Sequence, residues 1–76
     1  MHEVANIHMR SQPGWVEVSS PDANTVYQFK DAVMTIFPNG NWRCVGPQSR
    51  LTTGVASGNV NNLELFLQAW ANANPL

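Results

Sequence analysis

The chain has 76 residues, with one cysteine, four basic and five acidic side chains, and a net charge of -1. So short a chain forms a single domain (1–76) with a modest core, and the lone Cys44 excludes an intrachain disulfide and fits a reducing compartment. The near-neutral balance speaks against nucleic acid as a partner, because such proteins draw affinity from cations set on phosphates. No run reaches the roughly 18 apolar residues of a membrane helix.

Met1-His2-Glu3 carries neither the basic region nor the apolar run of a signal peptide, so the expected location is a cytosol. Charged residues make up 12% of the chain, about half the usual share of roughly a quarter. Polarity must come from Asn, Ser, Thr and Gln, which leaves a neutral surface suited to close contact.

Two strands are expected first, Val4–Arg10 and Trp15–Ser19, joined by Ser11-Gln12-Pro13-Gly14, where proline presets φ and glycine accepts a positive one. In the second strand Val16 and Val18 share one face and Trp15 and Glu17 the other. Residues 20–37 carry two patterns. Ser20 and Pro21 suit a helix start, and Val26, Phe29, Val33 and Phe37 make a helical stripe that includes Lys30. The β-branched and aromatic content favours a turn at Ser20–Asn24 and strands at Thr25–Lys30 and Ala32–Phe37, with Lys30-Asp31 as a bend.

Pro38-Asn39-Gly40-Asn41 reverses the chain, since Asn-Gly between strand-like residues is the strongest short hairpin signal. The returning strand is Trp42–Val45, closed by Gly46-Pro47, and Leu51, Thr53 and Val55 alternate as one more strand. The C-terminus is a helix. Asn61 with Glu64 forms a box of the capping kind, Val60 and Leu65 fit a hydrophobic staple, and Leu63, Phe66, Leu67 and Trp70 make the apolar stripe. The expected fold is therefore α+β: an antiparallel sheet of four to six short strands with one C-terminal helix on one face.

Chemistry-bearing clusters are sparse. His2, His8 and Cys44 match no compact metal spacing, so no metal or other cofactor is expected. Cys44 activated by His8 would be a nucleophile, but its place in a strand makes it a small sheet residue. The carboxylates are scattered, and Ser57–Asn62 lacks the lysine and second glycine of a phosphate loop, which leaves helix capping as its role. The reading is not an enzyme. Trp70 belongs to the helix stripe, whereas Trp15 and Trp42 each start a strand beside a turn, either packed under the helix or presented at the sheet edge. The candidate contact residues are Asn39, Gly40, Asn41, Trp42 and Arg43 at the hairpin, with Trp15.

The hairpin around Asn39-Gly40 followed by one helix resembles, in size and layout, the small phage-encoded inhibitor proteins of the anti-CRISPR type. That resemblance implies a non-catalytic protein working in a host cytosol, binding and blocking a larger bacterial host protein or complex. "GWVEV" followed by "YQF" resembles the sheet-plus-helix arm domains of phage integrases, which implies the alternative of a nucleic-acid-binding module. An unpaired edge strand would also allow a homodimer.

Overall fold

The computed structural model describes residues 2–76. Its elements run α1 (His2–Arg10), β1 (Val16–Val18), β2 (Thr25–Phe29), β3 (Ala32–Ile36), β4 (Trp42–Val45), β5 (Val55–Gly58) and α2 (Val60–Ala73). The five strands form one antiparallel sheet in sequential order, β1-β2-β3-β4-β5. This is a small α+β fold, and residues 20–37 resolve into a turn and two strands.

The N-terminal segment is a helix rather than the strand expected at Val4–Arg10. Ala5, Asn6 and Met9 are buried, at a spacing that puts them on one helical face, while Val4 and Ile7 face outward. Glu3 in the first turn and Arg10 in the last suit the helix dipole. The segment is short for an autonomous helix, so contacts with α2 and β3 decide its state. Asn6 ties it to the sheet: its amide donates to the His2 carbonyl at 2.9 Å, and its Oδ1 accepts the Tyr27 hydroxyl at 2.5 Å, within the buried interior.

Alternation then sorts the sheet into two faces. Tyr27, Phe29, Ala32, Met34, Ile36, Trp42 and Cys44 point to the helices and join Leu63, Leu67 and Trp70 of α2 in one core. The expected stripe on α2 is therefore buried, with Phe66 packed at its margin. On the opposite face two rows cross all five strands. One reads Val16, Gln28, Val33, Val45, Val55, and the next Val18, Val26, Thr35, Arg43, Ser57. Among the described residues no helix covers this face.

Two connections depart from the sequence expectation, while the bend at Lys30-Asp31 stands where it was expected. The last strand is Val55–Gly58, because Leu51 leaves the alternation and plugs the core from a turn, and Gly54 at φ 78° closes that turn before the strand starts. The cap of α2 is Asn59 rather than Asn61: Asn59 Oδ1 accepts from the Asn61 backbone N–H at 2.9 Å, and the Asn62 side chain returns to the Asn59 N–H at 3.0 Å. Val60 is consequently inside the helix and staples nothing. At the β2–β3 turn Lys30 takes a positive φ of 53°, and Asp31 holds Arg50, whose Nη1 donates to buried Asn74 at 3.0 Å. That relay fastens the turn to the end of α2.

Tyr27→Phe is expected to lower stability by about 1–3 kcal/mol, since it leaves the buried Asn6 carbonyl oxygen without a donor. The drop is read as a shifted urea midpoint with an unchanged slope.

Candidate functional site

The hairpin turn forms around a hydrogen bond from the Gly40 N–H to the Phe37 carbonyl at 2.9 Å, closed below by the Phe37 N–H to the Asn41 carbonyl at 2.8 Å. Pro38 has the fixed φ that such a turn wants, and Gly40 takes φ 90°, the left-handed region that glycine enters without strain. Among the described residues of this turn only Gly40 has a positive φ. Asn39 instead stiffens the loop, its Oδ1 accepting the Asn41 N–H at 3.0 Å.

Strand pairing then brings a second segment beside the turn. Trp42 lies opposite Gly58 and Arg43 opposite Ser57, so the end of β5 and the start of α2 flank the hairpin. Between them lies a cleft of about 430 Å³ lined by Phe37, Asn39, Asn41, Trp42, Arg43, Ser57, Gly58 and Asn59. Trp42 forms its floor. The Trp42 indole N–H donates to the Asn59 carbonyl at 2.9 Å and to Asn62 Oδ1 at 3.1 Å, and its ring packs at a tilt against Phe66 with centroids 4.6 Å apart. One amide oxygen, Asn62 Oδ1, thus receives both the helix cap N–H and the tryptophan N–H. Gly58 makes room for it, since a Cβ there would stand 2.3 Å from that oxygen.

The hairpin candidates therefore separate. Asn39, Asn41 and Arg43 are exposed and lie together at the cleft, whereas Trp42 and Gly40 are buried. Trp42 is 3% exposed, so it shapes the site from beneath and is not a projecting contact residue. Trp15 is far from the cleft in role: it is buried against Phe29 and Trp70, with ring centroids 5.4 and 5.3 Å away, and belongs to the core. Both tryptophans thus follow alternation rather than their proximity to turns. The polar residues Ser57 and Asn59 complete the cleft, and the sequence signalled them only as part of a helix cap.

The charges at the site are few. Among the described residues no carboxylate lies within ion-pairing distance of Arg43, while Arg10 is 3.7 Å from Glu17 and Arg50 is paired with Asp31. A second cleft, between α1 and Thr25, is lined by His2, Glu3 and Arg10, and its one guanidinium is the one near Glu17. His8 Nδ1 lies 3.8 Å from Glu64, and Cys44 is fully buried, its thiol pushed up to about 12 by desolvation. At neutral pH that thiol is protonated and out of reach of a substrate. Among the described residues no group of three or more His, Cys, Asp or Glu side chains could hold a metal ion, and no helix is long and apolar enough to cross a membrane.

No family model matches the chain, and no curated protein or solved structure matches it either.

Three outcomes are expected. Gly58→Ala displaces Asn62, costing the capping box about 1 kcal/mol or more, and it blue-shifts or broadens Trp42 fluorescence. Cys44 resists thiol reagents until urea unfolds the chain. Because its folded pKa lies above the unfolded one, the native state holds its proton more tightly, so stability falls as pH rises from about 9 to about 12. Raised Tyr27 acts in the same direction, and urea midpoints at pH 8 and pH 10.5 measure the decline.

Proposed function

We propose that this chain works without catalysis, binding a larger protein through the cleft beside the β3–β4 turn. The observation that carries this reading is the construction of the cleft. Exposed amides of Asn39, Asn41 and Asn59 and the guanidinium of Arg43 stand over a floor that Trp42 and Asn62 hold in place. Donors and acceptors fixed on a rigid support lose little conformational freedom on binding, which favours recognition by contact. Titratable groups arranged for proton transfer would favour an enzyme instead. Here the thiol is buried and His8 faces a carboxylate.

At a finer level, the partner is a bacterial host assembly in whose cytosol the protein acts as a small phage or mobile-element inhibitor. The likeness in size and layout to inhibitors of the anti-CRISPR type supports that level of the reading. Nucleic acid is the weaker partner, because the cations are dispersed: Arg10 is near Glu17, Arg50 is bound to Asp31, and Lys30 lies 5.9 Å from the Phe29 ring centroid. That leaves Lys30 and Arg43, which stand towards opposite ends of β3 and so form no patch for phosphates.

The test is affinity capture from bacterial lysate with the native chain and with Asn41→Lys/Arg43→Glu, two exposed positions whose replacement leaves the core intact. A discrete host protein retained by the native chain and lost by the variant, with both chains equally folded by circular dichroism, is the expected result. Capture of nothing beyond background overturns the reading, and recovery of nucleic acid that elutes steeply with salt replaces it.

A further inference from the structure

The face of the sheet opposite the helices is the largest feature that the binding cleft does not explain. Antiparallel sheets with one wet face usually alternate apolar inside with polar outside. Here the outside row reads valine at four of five positions, broken only by Gln28. Val16, Val18, Val33, Val45 and Val55 are 37–63% exposed and account for five of the nine large apolar side chains exposed among the described residues. Among the described residues the same face carries a single charge, Arg43. From this face we infer that the protein associates with a second copy of itself, sheet against sheet, an assembly that goes beyond the cleft-binding reading.

Composition selects the occupant. A nucleic acid needs several cations or aromatic platforms, and an acidic partner needs opposing cations; this face offers one guanidinium and no aromatic ring. Another neutral, valine-rich surface satisfies it, and the chain itself presents one. Symmetry adds to the match. A two-fold axis along β3 sets Val33 against Val33 of the second copy, Val16 against Val55, and Gln28 against Val45, at the spacing of about 10 Å usual between stacked sheets. Arg43 then lies opposite Val26 in the outer row, from which its long side chain reaches the rim and stays in water.

Size sets the strength. Five strands about 4.8 Å apart and two side-chain rows about 7 Å apart make a face of roughly 24 by 14 Å. Two corrugated faces of that size bury on the order of 1,000 Å² in total, below the roughly 1,200 Å² of stable interfaces and in the range of weak, reversible pairs. The dimer is therefore reversible and forms in the micromolar range or above. Edge pairing is the poorer route, because β1 has three residues and the Val55 carbonyl of β5 already accepts the Thr53 hydroxyl at 2.6 Å.

Sedimentation velocity on the full chain over a wide concentration series tests this. The expected result is a concentration-dependent shift from the 8.4 kDa monomer towards twice that mass, insensitive to added salt. Val33→Lys, which places like charges against each other across the axis, weakens association by at least about tenfold, and Val45→Asp does the same should the first variant fold poorly. Leu65→Lys, on the outer surface of α2, leaves it unchanged. A native chain monomeric at every concentration overturns the inference, even if Val33→Lys impairs capture of some other partner. So does a dimer that survives both valine substitutions, which would assign pairing to a strand edge. Arg43 borders both surfaces, so Asn41→Lys alone, off the valine rows, keeps the test of the cleft separate from this one.

Discussion

Five aromatic rings in continuous contact run beneath the sheet, and the rest of the molecule is arranged around them. Trp15 meets Phe29 and Trp70, Phe29 meets Trp70 edge-on, Trp70 meets Phe66, and Phe66 meets Trp42, with centroids 4.6 to 6.0 Å apart. This line joins the segment leading into β1, together with β2 and β4, to α2, so elements distant in sequence share one packing surface. It carries a cost. The buried Trp70 indole N–H has no acceptor among the described residues, a penalty of about 1–3 kcal/mol. Burying one such ring removes about 200 Å² from water, worth about 5 kcal/mol at the usual coefficient, so packing outweighs the orphaned donor. In a chain with little other aromatic or charged material, moving any of the three tryptophans to the surface would take apart this line.

What the sequence made legible follows from how local each signal is. The hairpin and the α2 stripe depend on neighbours within one or two turns of chain, and both stand where their patterns put them. The N-terminal helix does not. Its Val4 and Ile7 favour a strand by propensity, yet they lie outside, and the residues that decide its state, Ala5, Asn6 and Met9, are ordinary until Tyr27 and α2 are beside them. Three nearby asparagines, Asn59, Asn61 and Asn62, are each competent to cap, so residue type alone could not choose the cap. The choice falls to Asn59 because Asn62 is needed above Gly58, where it takes the Trp42 N–H.

The candidate site was half visible for a related reason. Asn39, Asn41 and Arg43 follow from the turn, which is local. Ser57 and Asn59 come beside them only through the β4–β5 register, and that register depends on where β5 begins. Alternation from Leu51 points to a strand too early, because a leucine that fills the core from a loop looks the same in sequence as one that fills it from a strand. The tryptophans obey a stronger rule than their position next to turns suggests: Trp15 opposes Val16 and Val18, and Trp42 opposes Arg43, so each goes inside with its own alternation class.

That alternation makes the interior and the surface a single object. In β4, Trp42 and Cys44 are locked into the core while Arg43 and Val45 stand outside, on the same four residues of backbone. The backbone beneath such a side chain cannot shift without moving a buried partner, so the outer face and the cleft stand on a framework of fixed shape. Fixed shape lowers the entropy lost on contact, which matters most for a protein with few charges, since it has little long-range attraction to draw a partner in. Such a surface must rely on fit at short range, and a five-stranded sheet clamped on one side by two helices and a line of rings supplies the rigidity that fit requires.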